Sequence, residues 1–289
     1  MRMFLTMALL GVLYAVFAIV LIKFQVPYVF IGVVVGVMVL IQYFLSDKMI
    51  LWSSGAKQVT AAQEPELHRI VEQLARNAGM PKPKVAIIQS VVPNAFATGR
   101  NPKNSLVAVT TGIRERLSDR ELAGVLGHEL AHVRNRDMRV LAIANFLVTM
   151  TSFLMTMLFW NILFGGFRRE REGGGAIFML YLITLVVYFV GQLLVLALTR
   201  YREYGADHSG AEISGDPGAL AAALEKISGA MARIPEKDLR KLQTASAFLL
   251  IPPRLKGDDI MHLFSTHPRV EDRIRRLREL EQRARFGQR

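Results

Sequence analysis

The chain has no cysteine among its 289 residues, so neither a disulfide framework nor a thiolate metal site is open to it. It has no proline between Pro102 and Pro217, so nothing in that stretch obliges a helix to stop, and one starting near residue 118 is free to run on into the apolar residues that follow. Thirty-six basic residues against 24 acidic ones give a net charge of +12, yet no basic stripe is interleaved with aromatics. The arginines and lysines gather beside apolar blocks and in a mixed-charge tail. That placement argues against nucleic acid as a partner and for anchoring at a bilayer.

Hydrophobic residues make up 52% of the chain and fall in blocks rather than being spread as in a globular core. Phe4 to Ile22 and Val26 to Leu45 are each apolar over about the ~20 residues that span a bilayer, and Leu141 to Phe167 and Ala176 to Thr199 form a second such pair. The first block exceeds the roughly 7 to 15 residues of a signal-peptide core and is followed by no small-residue cleavage site, so it reads as a retained membrane helix. Four transmembrane helices are therefore predicted. Arg2, Lys48, Lys57, Arg134, Arg136, Arg139, Arg200 and Arg202 flank one set of ends, which places the polar segments in the cytoplasm and the chain in the cytoplasmic (inner) membrane. Arg168, Arg169 and Arg171 in the loop from Gly165 to Gly175 run against that rule; the second pair is still read as spanning, because both blocks are long and rich in Leu, Phe and Met. The expected organisation is an N-terminal hairpin over 1–45, a cytoplasmic domain built from 46–139 and 200–289, and a second hydrophobic hairpin over 140–199.

The polar segments read as mixed α and β. Leu67, Ile70, Val71 and Leu74 recur at helical spacing between Pro65 and Gly79. Lys84 to Gln89 and Ser105 to Thr111 read as short strands, with Pro93 to Gly99 a turn-rich link between them. Ser118 and Glu121 form a capping box that opens a helix with Leu122, Val125, Leu126 and Leu130 on its buried side. Asp216-Pro217 opens an alanine-rich helix, and Val270, Ile274, Leu277 and Leu280 mark a charged amphipathic tail.

The helix that begins at Ser118 carries His128-Glu129-Leu130-Ala131-His132. Histidines four apart project from one helix face and can share a metal ion, while Glu129 stands beside it, placed to take a proton from water. A catalytic zinc takes three protein ligands and leaves a fourth position for water, whose pKa it lowers towards neutrality. Glu203 and Asp207 lie four apart straight after the fourth apolar block, a spacing that suits a third ligand and a carboxylate that holds a ligand imidazole. Asp137, five residues past His132, falls about 140° round a continuous helix and is expected to face away. A metzincin is excluded, because its glycine and third histidine would have to stand where Asn135 and Met138 are.

With these residues in order the chain resembles the HtpX-type membrane-bound heat-shock proteases, relatives of the Ste24- and Oma-type zinc peptidases. The resemblance covers two leading membrane helices, Asn94-Ala95-Phe96-Ala97 before a strand, the H-E-L-A-H helix, a hydrophobic hairpin, R-E-Y-G-A-D and a late T-H-P. It implies a mainly α membrane protein with an α+β, zincin-like (gluzincin) catalytic domain. It also implies one zinc ion per chain on His128, His132 and Glu203, with Glu129 as general base and Asp207 orienting His128. Asn94 and Ala95 would flank an extended substrate, and His267 with Arg273 would donate to the developing oxyanion. The implied function is hydrolysis of peptide bonds in damaged or misassembled membrane proteins by water that the metal activates. The expected partners are protein or peptide substrates and the lipid bilayer. A dedicated processing protease of the prenyl-protein type is the nearest alternative. A membrane scaffold or holdase with structural zinc is another, against which Glu129 argues, having no use in a purely structural site.

Overall fold

The structure, a computed structural model, describes residues 2–26, 29–38, 40–41, 54–99, 101–165, 174–233 and 268–287. In chain order its elements are α1 (Arg2–Lys23), α2 (Val29–Met38), β1 (Lys57–Gln58), α3 (Pro65–Asn77), β2 (Lys84–Ile88), β3 (Ala95–Gly99) and β4 (Ser105–Thr110). There follow α4 (Thr111–Arg116), α5 (Asp119–Arg134), α6 (Asp137–Trp160) with a π turn over Asn161–Gly165, α7 (Gly174–Ser214), α8 (Pro217–Met231) and α9 (Val270–Arg285). The chain divides into two compact units, Met1–Phe44 with Arg139–Tyr201, and Leu45–Met138 with Arg202–Arg289.

The first unit is helical and turned inside out relative to a water-soluble protein. Leu10, Tyr14 and Phe17 of α1 meet Ile31 and Val35 of α2, Ala144 and Val148 of α6, and Leu180 and Val187 of α7. Leu9, Val12, Val16 and Ile19 on the other side of α1, and Val186, Phe189 and Leu193 on α7, are exposed. Apolar side chains on the outside of a bundle are stable only in an apolar solvent. Among the described residues, three helices are long and apolar enough to cross a bilayer: Met3–Lys23, Asp137–Phe164 and Gly175–Ser214. Of the expected second span only the shorter α2 is described, and residues 166–173 of the charged loop lie outside the described residues. Aromatic rings gather where α6 ends, with Trp160 stacked on Phe164 at 5.3 Å between centroids and Phe159 edge-on to Trp160.

The second unit is a four-stranded sheet, in the order β1-β2-β4-β3, covered by helices. β2 and β4 run parallel, and β3 pairs antiparallel with β4 at the edge. Alternation sorts the side chains: Val85, Ile87, Ala95, Val107 and Val109 join the helical core, while Ala86, Phe96, Leu106 and Ala108 line the other face. Residues 95–99 are thus a strand, where a link was expected. Alanines disfavour strands in isolation, but both faces here are packed, and the small Ala95 and Ala97 let α5 lie close along the edge. α3, the Ser118 cap, α8 and the tail helix α9 form as the sequence predicts.

Against expectation, α5 does not run on into the apolar block. It ends at Arg134, and Arg136 adopts a left-handed φ of 55° before α6 starts at Asp137. Neither proline nor glycine marks this break in the sequence.

α5 and the end of α7 cross backbone to backbone. A Cβ placed on Gly210 would stand 2.6 Å from the Cα of His128, and one on Gly127 would stand 2.8 Å from the Gly210 carbonyl oxygen. Glycine on both sides is what lets α7 approach His128. Gly210→Ala should therefore cost about 1–3 kcal/mol through overpacking. Gly205→Ala on the same helix, with nothing within 4 Å, should be neutral or stabilise by up to about 1 kcal/mol. Thermal melting of the two detergent-purified variants checks the contrast, and equal melting temperatures would disprove the close crossing.

Candidate metal centre

The centre is assembled from α5, the end of α7, the start of α6, α9 and the edge of β3. Ser118 Oγ accepts the N–H of Glu121 while the Glu121 carboxylate accepts the N–H of Ser118 at 2.8 Å, so the first turn of α5 is fixed. A salt bridge of 2.7 Å from Lys226 on α8 to Glu121 ties that turn to the core; burial alone would raise the pKa of this carboxyl, but Lys226 and the Ser118 donors hold it below its ordinary value. Three turns on, α5 presents His128, Glu129 and His132. On α7, Glu203, Asp207 and Gly210 follow at i, i+4 and i+7, so the two carboxylates stand in line above the glycine that touches His128.

The ring nitrogens have distinct partners. His128 Nδ1 lies 3.0 Å from Asp207 Oδ1, and His132 Nδ1 lies 2.6 Å from Asp137 Oδ2. With each Nδ1 donating to its carboxylate, a neutral ring keeps the lone pair of its Nε2 for a metal. The two Nε2 atoms face each other at 3.2 Å, with Glu203 oxygens 3.4 Å from that of His132 and 3.7 Å from that of His128. A metal that holds nitrogen and oxygen donors tetrahedrally at ~2.0–2.2 Å spaces them by roughly 3.3 Å, so the three separations fit one ion. These three residues form the group among the described residues that could hold a metal.

Charge leads to the same requirement. Glu129, Asp137, Glu203 and Asp207 are buried carboxylates, and the buried arginines beside them are Arg202 and Arg273. Four negative groups against two positive ones leave two negative charges, the deficit that a divalent cation cancels. Burial disfavours a charged His132, but the carboxylates of Asp137, Glu203 and Glu129 outweigh it and push its pKa up to about 10. Left to itself, the site takes up a proton where it needs a cation.

Arg273, 1% exposed, grips Asp207 with Nε at 2.9 Å and Nη2 at 2.7 Å, and its Nη1 reaches Glu203 at 3.5 Å. Its Nη2 also stands 3.5 Å from Nδ1 and 3.4 Å from Nε2 of His128, so it lies against the ring as well as its carboxylate. Glu129 Oε2 accepts the N–H of Ala97 at 3.0 Å, which fixes its carboxylate between the metal donors and the β3 edge. Asn94 and Ala95 stand at the start of that strand; the Asn94 N–H donates to Thr110 Oγ1 at 2.9 Å, and its carbonyl accepts the Thr110 N–H at 2.9 Å. His267 lies outside the described residues. His68 and His208 lie apart from the centre, on the carbonyl of Val59 and on Glu212.

Asp137, expected to face away, is brought onto His132 by the break at Arg136, and Arg202 holds it at 2.8 Å. The one sequence signal for this pair is an acid and a base at the feet of two apolar blocks, where isolated charge is costly and so usually has a purpose.

The profile of Peptidase family M48 matches residues 61–281. The Protease HtpX homolog of Moorella thermoacetica is 54% identical over 282 residues, covering 97% of this chain and 94% of that protein. Protease HtpX homolog 2 of Methanosarcina mazei is 47% identical over 283 residues, 97% of this chain and 95% of its own. The crystal structure of S. mikatae Ste24p shares the fold at a TM-score of 0.60 and 20% identity, over 94% of this chain and 64% of that one. With a paired-histidine centre, apolar helices and these relatives in agreement, the chain belongs to peptidase family M48, with the HtpX-type membrane metalloproteases.

Proposed function

We propose that this chain is a membrane-embedded zinc endopeptidase in which His128, His132 and Glu203 hold the ion and Glu129 is the general base. The observation that carries the proposal is the pair of Nε2 atoms turned towards each other at 3.2 Å with both Nδ1 atoms already against carboxylates. Two imidazoles, one carboxylate and no thiolate suit zinc in a catalytic rather than a structural role. Bound zinc supplies Lewis acidity, polarising the scissile carbonyl and making water a ready nucleophile near neutral pH.

The chain's own residues do the rest. Glu129, held by the Ala97 N–H, removes the proton from the attacking water and returns it to the leaving amine. Asn94 pairs with Thr110, so even-numbered residues of β3 turn their main-chain groups towards β4, and Ala95, Ala97 and Gly99 turn theirs outwards. An extended substrate adds as a strand along that outer edge, beside the base. Arg273 keeps Asp207 ionised as the acceptor for His128, and the donation to the oxyanion that the family resemblance gives to His267 and Arg273 belongs to the same proposal.

The same proposal sets the second unit in the cytoplasm. It makes 1–45 and 140–199 two membrane hairpins, in the inner membrane, with four crossings. Supporting it are the outward apolar faces of α1 and α7, the aromatic cluster at the end of α6, and the arginines at 134, 136, 139, 200 and 202, which flank the other ends of the apolar stretches of α6 and α7. Substrates in this setting are unfolded or misassembled proteins at the bilayer.

Glu129→Gln should keep stoichiometric zinc and lose at least ~10²-fold in hydrolysis of an unfolded model protein; undiminished turnover would refute the mechanism. Glu203→Ala should purify nearly zinc-free, as should native protein after chelation, and full zinc in the variant refutes the ligand assignment. Reporters fused after Ala56 and at the C-terminus should register as cytoplasmic, with those at Gln25 and Glu170 external. A cytoplasmic signal at Glu170 would show that residues 140–199 do not cross.

A further inference from the structure

A histidine serves as a ligand when its ring is held and its other nitrogen carries the proton. His128 needs little holding, since its side chain is 1% exposed and packed against the α7 backbone, and it still has Asp207 and Arg273. The His132 side chain is 20% exposed, so packing leaves its ring freer to turn. What holds it is a carboxylate that helical geometry alone would have carried away.

On a continuous α5, residue 137 would point about 140° from residue 132. The left-handed Arg136 cancels that offset, and a non-glycine residue persists in this region only where its surroundings over-determine it. The surroundings are Asp137 itself, 6% exposed, its Oδ2 shared between His132 Nδ1 at 2.6 Å and Arg202 Nη2 at 2.8 Å. Arg202 is buried too, and it directly precedes Glu203, so one turn of α7 carries both a metal donor and the cation that anchors its neighbour's partner.

We infer that Asp137 and Arg202 are positioning residues for His132, forming a second histidine–carboxylate–arginine relay that matches His128, Asp207 and Arg273. The inference rests on His128, His132 and Glu203 holding zinc.

The test is the zinc dissociation constant, from chelator competition on the full-length detergent-purified protein, together with melting in excess chelator. Asp137→Asn keeps an acceptor of the same shape without the charge. Asp137→Ala combined with Arg202→Met removes the pair without leaving a buried cation. Both should bind zinc about 10 to 100-fold more weakly, as should Asp207→Asn, and should melt in chelator like the native chain. Cobalt-substituted Asp137→Asn should show a changed visible ligand-field spectrum. A native dissociation constant in the double variant overturns the inference, and so does weaker binding explained by an equal loss of melting temperature in chelator. If native protein and Glu203→Ala hold zinc equally, the zinc assignment itself has failed and the relay falls with it.

Discussion

Two ring nitrogens facing each other across 3.2 Å need a proton or a metal ion between them, and the second unit is arranged so that they cannot turn aside. The rings cannot rotate without giving up hydrogen bonds to Asp207 and Asp137. The backbone cannot retreat, because the first turn of α5 is capped by Ser118 and its middle lies against Gly210. The carboxylates cannot swing away, because each is gripped by a buried arginine. Preorganisation of this kind moves the cost of ordering a site from binding to folding. The ion then meets donors already in place.

Arginine, rather than lysine, fits this duty. Its planar fork meets both oxygens of Asp207 at once, which fixes the direction of the carboxylate as well as its charge. Buried charges that are incompletely balanced are costly, and here the imbalance is left standing at the three donor atoms. A site neutralised by two further arginines would fold more easily and hold a cation less well.

Where local periodicity governs, the sequence was readable. The capping box, the buried stripe of α5, the histidines four apart and the matching step from Glu203 to Asp207 all follow from 3.6 residues per turn, and the structure places them together. The reading failed where a long-range contact overrides a local rule. Asp137 was assigned by helical phase, and the phase is broken at Arg136 by contacts with residues 132 and 202 rather than by any glycine or proline. β3 was missed for a similar reason: its alanines and threonine lack strand propensity, and pairing with β4 and packing on α5 decide the outcome. Arg273 entered through the family resemblance, as an oxyanion donor with His267; nothing local could show that it grips a carboxylate 66 residues earlier.

That grip bears on the order in which the protein is made. Arg273 lies 145 residues after His128, so the support of the first ligand emerges from the ribosome on the order of 10 s after the ligand itself. During that interval the nascent chain already carries both histidines and the glutamate but has an Asp207 without its guanidinium. The centre thus lacks the partner of Asp207 until α9 has been made.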